Sequence, residues 1–225
     1  MALPLYVIGL DLSGPTNTAD TALVLFEEQR GSLLFRRQES PADDLLIYQL
    51  AAETAGVSRL VVGLDAPLSY QPGGGDREGD RALRRRLTAA GMPSGSVMTP
   101  TMTRMAYLTL RGMAVARSLG RLPVPAPEIA EVHPGGAMRL RGAPLDAVLA
   151  FKNSPGSRQE LLQWLEAQGL EGAAALDPSS DHLIAACAAA LAAWQWSSGT
   201  PAWIHPPDPP FHPYPILCCR SPHWE

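Results

Sequence analysis

The stretch from Tyr6 to Phe26 constrains the fold of this chain most strongly. It holds two apolar runs, rich in β-branched residues, around a short loop of Ser, Gly, Pro, Thr and Asn, which is typical of a hairpin of two buried strands. Asp11 stands where the first run ends, and a carboxylate beside a core is costly unless a cation or hydrogen-bond donors meet it. Two interpretations are open. Asp11 either caps the following turn or is a metal or phosphate ligand at a strand end.

The next segments predict how the sheet continues. Apolar runs predict three antiparallel strands, over residues 5–10, 21–26 and 32–38. A helix over 40–56 then leads to a short strand over 59–64 that ends in Asp65. Because a strand reached through a helix most often runs parallel to a neighbour, we expect Asp11 and Asp65 at the same edge of the sheet. Asp65 alone would also suit a turn.

A basic helix is predicted over residues 77–90, where five arginines are interleaved with Asp80. Such a charge run is usually a solvated face, and Asp80 and Arg84 have the spacing to pair on one side of the helix. We also expect some of these arginines to lie near the acids as phosphate-facing donors. A further helix over 102–119, loosely broken at Gly112, is predicted to follow.

Three more polar residues stand in apolar surroundings. Glu131 and His133 alternate on a short strand and so point to the same face. A lone buried histidine is more often structural than catalytic, whereas an acid in an apolar strand needs a cation nearby. Asp181 lies in the first turn of the longest predicted helix, where the helix dipole favours a carboxylate, so a capping role is the alternative to a site role.

Composition limits the functional class. The 225 residues carry a formal charge of −4, so any nucleic-acid contact must be local. Three cysteines form neither a disulfide framework nor a zinc pattern, which favours a reducing compartment, the cytoplasm. The Ala-rich run over 183–194 is shorter than the ~20 residues needed to span a bilayer, so no membrane association is expected. The chain does not indicate its oligomeric state.

The predicted organisation is one domain over residues 1–200, with a helical insertion at about 70–122. A Pro-rich tail over 201–225 follows, with room for one edge strand at Trp203-Ile204.

The order of these elements resembles the ribonuclease H-like fold, and the motifs resemble one family within it, the predicted nucleases catalogued as domain of unknown function 429. The motifs that carry the resemblance are Gly9-Leu-Asp11, Gly63-Leu-Asp65-Ala-Pro67, Arg77-Glu-Gly-Asp80 with Arg84, Glu131-Val-His133-Pro134, Lys152 with Gly156 and Arg158, and Asp181 opening an Ala-rich helix. The implied fold is α/β, a mixed five-stranded sheet of order 3-2-1-4-5 with an antiparallel second strand, flanked by helices.

The resemblance also implies a metal-dependent nuclease or phosphodiesterase. Its catalytic and metal-binding acids would be Asp11, Asp65, Glu131 and Asp181. Hard carboxylate oxygens suit one or two Mg²⁺ or Mn²⁺ ions. The expected substrate-binding residues are Ser13, Arg77, Arg84, His133, Lys152 and Arg158. The partner would be a nucleic acid, with DNA and RNA both open. His182 stands where an alanine is more usual in the family, and its role is open.

Two alternatives belong to other functional classes. Actin-like and sugar-kinase proteins share the fold, and Asp11-Leu-Ser-Gly-Pro-Thr resembles their phosphate loop, which makes a phosphotransferase or nucleotide hydrolase the second hypothesis. Such proteins need two domains of this kind, and 225 residues supply one. The third hypothesis is a non-catalytic binding protein on the same fold.

Overall fold

The computed structural model describes residues 3–123 and 125–219, which form a mixed α/β fold of eight strands and seven α-helices. The strands are β1 (Leu5–Asp11), β2 (Ala22–Gln29), β3 (Ser32–Glu39), β4 (Arg59–Asp65), β5 (Glu128–Val132), β6 (Leu170–Glu171), β7 (Pro201–His205) and β8 (Ile216–Cys219). The helices are α1 (Asp44–Ala55), α2 (Glu78–Ala89), α3 (Arg104–Leu119), α4 (Pro134–Leu140), α5 (Leu145–Ala150), α6 (Pro155–Ala167) and α7 (Asp181–Ser197).

All eight strands join one sheet, in the order β6-β3-β2-β1-β4-β5-β8-β7. β2 runs antiparallel to β1 and β3, whereas β1, β4, β5 and β8 are mutually parallel. The predicted order of five strands lies within this sheet, but the prediction that the sheet ends there is wrong. β6 pairs with only two residues of β3, and a two-residue strand has too short a pattern to be recognised in a sequence.

The edge strand predicted at Trp203-Ile204 is present as β7, but the described part of the tail also holds a second strand, β8, that was not predicted. β8 extends the sheet beside β5, and β7 pairs antiparallel with β8. The backbone carbonyl of Pro215 accepts a hydrogen bond from the amide of Glu131 at 2.9 Å. The prolines exclude a helix, as expected, but they do not prevent an extended edge from pairing.

Helices cover both faces of the sheet, and side chains alternate between them. Val7, Gly9 and Asp11 of β1 point to the face covered by α7, while Ile8 and Leu10 point to the face covered by α1 and α3. β4 repeats this alternation because its Gly63 and Asp65 lie directly opposite Gly9 and Asp11.

The two glycines explain how closely α7 approaches the sheet. A Cβ atom on Gly9 would lie 2.0 Å from the carbonyl oxygen of Ala186, and one on Gly63 would lie 2.4 Å from that of Ala189. The Gly-Leu-Asp pattern on each strand therefore serves two purposes. Glycine admits the helix, and two residues later aspartate emerges on the same face beside the helix start.

Two helices differ locally from their predicted form. α1 begins at Asp44, later than the predicted start at residue 40, and the Asp43 carboxylate caps it by accepting from the amide of Leu46 at 2.8 Å. α3 runs unbroken through Gly112, whose missing Cβ lets the helix pack against the carbonyl oxygen of Pro67. Within the described ranges, no helix is long and apolar enough to cross a membrane.

Candidate active site

A cavity of about 600 Å³ opens at the carboxyl ends of β1, β4 and β5, beside the start of α7. The four acids predicted to form the site all line it: Asp11, Asp65, Glu131 and Asp181. They do not play equivalent parts, because each has different hydrogen-bond partners.

Asp11 and Asp65 form the centre of the site. They stand opposite each other in the parallel register of β1 and β4, as the sequence argument predicts, and their carboxyl groups interact directly. Burial raises the pKa of both groups, and the charge of Asp11 raises that of Asp65 further. Such a pair needs a proton or a cation between its oxygens.

His182 is the closest partner of this pair. Its Nδ1 lies 2.7 Å from Oδ2 of Asp11, and its Nε2 lies 3.9 Å from Oδ1 of Asp181. The hydrogen bond to Asp11, with the negative charges of Asp11 and Asp181, raises the pKa of the imidazole although burial opposes this. His182 therefore assists the acid pair by orienting Asp11.

Asp181 opens α7 but is not its cap. The hydroxyl of Ser180 accepts the amide of Leu183 at 3.4 Å and so caps the helix. The alternative that assigned capping to Asp181 is therefore wrong. Its carboxylate lies half-buried at the cavity, beside His182.

Glu131 is neutralised within the protein. Arg77 donates to its two carboxylate oxygens at 2.5 and 2.7 Å, and the amide of Leu68 donates to it at 2.8 Å. The same guanidinium bonds Asp80 through Nε and Nη2 and the hydroxyl of Ser69 through Nη1. Burial disfavours the charge of Arg77, but the two acids outweigh burial, and its pKa is raised.

Two expectations for this cluster are thereby corrected. Arg77 lines the cavity near the acids, but its five N–H donors already have partners, so it is not a free phosphate donor. Asp80 pairs with Arg77 and not with Arg84, because the guanidinium of Arg77 turns back over the first turn of α2.

Arg84 does not line the cavity but anchors a loop that does. It forms an ion pair with Asp76 and donates to the carbonyl oxygens of Ser94, at 3.2 Å, and Val97, at 2.8 Å. The substrate-binding role expected for Arg84 is therefore replaced by a positioning role.

His133 has a similar structural role, although it lines the cavity. Its Nδ1 accepts from the amide of Gly136 at 2.9 Å, so the ring proton is on Nε2, which donates to the carbonyl oxygen of Ser96 at 2.7 Å. Burial lowers the pKa of His133, consistent with a neutral ring. Because both ring nitrogens already have backbone partners, the geometry does not favour direct substrate binding by His133.

Ser13 lies outside the cavity and is held by a buried arginine. Nη1 of Arg111 donates to the Ser13 carbonyl oxygen at 2.9 Å and to the Thr21 hydroxyl at 2.6 Å. The Ser13 hydroxyl also lies 2.8 Å from that of Thr21. The loop that resembles a kinase phosphate loop is therefore occupied by the protein's own arginine.

Lys152 is the one predicted substrate-binding residue that is free to act as expected. It is exposed at the cavity, and its charge opposes the raised pKa values of Asp11 and Asp65. It makes no ion pair with any residue that the structure describes, and it is the only lysine of the chain.

Arg158 does not line the cavity. It is buried and donates to the backbone carbonyls of Phe151, at 2.9 Å, and Lys152, at 3.4 Å, so it positions the lysine.

The donor set fits a cation only in part. Within residues 3–123 and 125–219, no three His, Cys, Asp or Glu side chains converge as ligands for one metal ion. Two facing carboxylates, Asp11 and Asp65, remain available, since Glu131 is bound to Arg77. This suits Mg²⁺, which is commonly bound through one or two carboxylates, with water and substrate oxygens completing the shell.

Sequence reasoning missed the contacts that neutralise and brace the site. Asp80 was available as a partner three residues after Arg77, a spacing that favours pairing on a helix. The contact between Arg77 and Glu131 joins residues 54 positions apart, and no pattern in the sequence indicates it. The three methionines that line one wall, Met92, Met98 and Met105, carried no signal beyond their apolar character.

A family model described as Protein of unknown function (DUF429) matches residues 9–210. The chain has no significant match among curated proteins or among solved structures.

Proposed function

The chain belongs to the DUF429 family of proteins of unknown function, and from the geometry of the site we propose that it is a Mg²⁺- or Mn²⁺-dependent hydrolase of phosphodiester bonds. One observation carries the proposal. Asp11 and Asp65 face each other at adjacent parallel strand ends in a cavity, where burial raises the pKa of both groups and the charge of Asp11 raises that of Asp65 further. A bound cation would relieve that repulsion.

Asp11 and Asp65 are the residues that would hold the ion. When bound there, a divalent cation would polarise a phosphoryl oxygen and lower the pKa of a bound water. Of the one or two ions expected from the sequence, one fits better, because Glu131 would have to leave Arg77 to hold a second.

The protein's own side chains supply the remaining requirements. The reaction forms a bond from a water oxygen to phosphorus and breaks the bond from phosphorus to the ester oxygen. Asp181, half-buried and without a charged partner other than His182 in the described structure, can accept the proton of the water. His182, whose pKa is raised, can give a proton to the leaving oxygen, and the ammonium of Lys152, which lines the cavity, can bind a phosphate oxygen.

The central strand order β3-β2-β1-β4-β5 is consistent with a ribonuclease H-like core and so supports phosphodiester chemistry. That support is an analogy from fold, and the proposal depends on the acid pair itself.

A second candidate function follows from the close opposition of the two buried carboxyl groups. Two carboxylates that share one proton can act as general acid and general base without a metal. The absence of a three-ligand set within the described residues favours this alternative. Hydrolysis that persists in chelator would distinguish it.

The test is hydrolysis of a chromogenic phosphodiester, of single- and double-stranded DNA and of RNA, each with Mg²⁺, Mn²⁺ or a chelator. We expect metal-dependent hydrolysis that Asp65→Asn lowers about 100-fold or more. Asp43→Asn is the matched control, because Asp43 is exposed and outside the cavity lining, and asparagine caps a helix as well as aspartate does. Absence of activity on every substrate, or equal activity in Asp65→Asn, would favour the non-catalytic alternative.

A further inference from the structure

We infer that the phosphoester accepted by this site is small and carries one aromatic ring, a single nucleobase or an aryl group, which packs against a wall of methionines. This inference rests on the proposed function and names its substrate class. It follows from the composition of one wall, from how that wall is held, and from the charge of the cavity.

The wall is the segment from Met92 to Met105, which connects α2 to α3 and includes the first two residues of α3. Three of the seven methionines of the chain line the cavity from this segment: Met92, Met98 and Met105. Met92 is buried, whereas the side chain of Met98 is 43% exposed, so apolar surface remains open to a ligand. Thioethers pack favourably on aromatic rings and adapt their shape to them. Leu149 and Phe151 line the cavity as well and add to its apolar surface.

The wall is held in place before any ligand binds. Arg84 donates to the backbone carbonyls of Ser94 and Val97, and His133 donates to that of Ser96. Thr99 bonds Asp76, which is itself paired with Arg84. Arg84 and His133, which the sequence predicted to bind the substrate, therefore fix the loop that would contact it. A preformed apolar surface binds without the cost of ordering a loop.

Charge and size argue against a long nucleic acid in this cavity. Binding to a polynucleotide draws on several Lys or Arg contacts to successive phosphates. Among the residues lining this cavity, the only cation without an ion pair to the described residues is Lys152, since Arg77 is bound to Glu131 and Asp80. A volume of about 600 Å³ lies within the range of roughly 300–1,000 Å³ typical of small-molecule sites.

The test observes the methionine methyl groups directly and does not depend on catalysis. The full chain, labelled with ¹³C at the methionine methyls, is titrated with phenylphosphonate and with methylphosphonate, neither of which is hydrolysed, with and without Mg²⁺. We expect the Met98 and Met105 signals, assigned through Leu variants, to move upfield with phenylphosphonate through the ring current and to stay in place with methylphosphonate. Met102, on the same segment but outside the cavity lining and 48% exposed, is the matched control. Adenosine and uridine 5′-monophosphates, titrated in parallel, tell a nucleobase from a simple aryl group.

Kinetics provide a second readout. Met98→Ala and Met105→Ala should each raise the KM for an aryl phosphodiester about 2- to 10-fold, while Met102→Ala leaves it unchanged. Hydrolysis without any ring-dependent shift of Met98 or Met105, or a higher kcat/KM on polynucleotides than on aryl diesters, would overturn the inference and leave the proposed function standing. Ring-dependent shifts without hydrolysis of any substrate would support the aromatic site and refute the proposed function.

Discussion

Arg77 makes a buried ion-pair cluster whose loss should be large enough to measure without ambiguity. Its side chain is 4% exposed and bonds both Glu131 and Asp80. In Arg77→Met both acids lose their cation and stay buried, and removing one partner of a buried pair costs about 3–5 kcal/mol. For a chain of this size each kcal/mol shifts Tm by about 2–4 °C, so we expect Tm to fall by roughly 6–20 °C.

The assay is thermal and urea unfolding of Arg77→Met beside Arg85→Met. Arg85 is exposed on the same helix, so its replacement should change the free energy of unfolding by less than about 0.5 kcal/mol. The double variant Arg77→Met with Glu131→Gln should recover part of the loss, because it removes one of the two orphaned charges. Two results would refute the reasoning that Arg77 neutralises Glu131: a Tm change below 2 °C for Arg77→Met, or a double variant no more stable than the single one. Either result would return Glu131 to the set of candidate metal ligands.

Two further predictions concern the acid pair and the helix that lies over it. Asp65 has a raised pKa in the folded state, so its contribution to stability is present below its unfolded pKa of about 3.9 and is lost as pH rises through the folded pKa. In metal-free buffer the free energy of unfolding of Asp65→Asn should therefore rise relative to that of wild type across that pH window, by about 1 kcal/mol or more at pH 8. The measurement is urea unfolding of both proteins at a series of pH values. Parallel curves of unfolding free energy against pH for the two proteins would contradict the prediction. Gly9→Ala should lower the free energy of unfolding in urea by about 3 kcal/mol or more, because its Cβ would lie 2.0 Å from the carbonyl oxygen of Ala186. The control is Gly14→Ala, which should be nearly neutral because a Cβ there has nothing within 4 Å. Similar losses for both variants would show that α7 does not pack against β1 as described.

The site was predictable where it follows from strand order. Asp11 and Asp65 end two apolar strands, and the parallel pairing of strands joined through a helix is general enough to place both at one edge. The paired glycines two residues earlier gave no separate signal, although they let α7 bring Asp181 and His182 to the same place.

Other features depend on contacts that only the folded chain brings together. Nothing near Glu131 in sequence indicates that Arg77 neutralises it, because the pairing needs both the sheet and the turn into α2. The same holds for Arg111, which fills the loop around Ser13 from 98 residues away. β8 was missed because the proline density of this segment argues against regular structure, whereas an edge position tolerates prolines that donate no hydrogen bond.

Manganese binding followed by electron paramagnetic resonance and calorimetry tests the central claim most directly. The claim is that Asp11 and Asp65 together hold one divalent cation. We predict one Mn²⁺ per chain for wild type and for Asp43→Asn, and an affinity reduced about 10-fold or more in Asp65→Asn. No Mn²⁺ binding by the wild type, or equal binding by wild type and Asp65→Asn, would contradict the account.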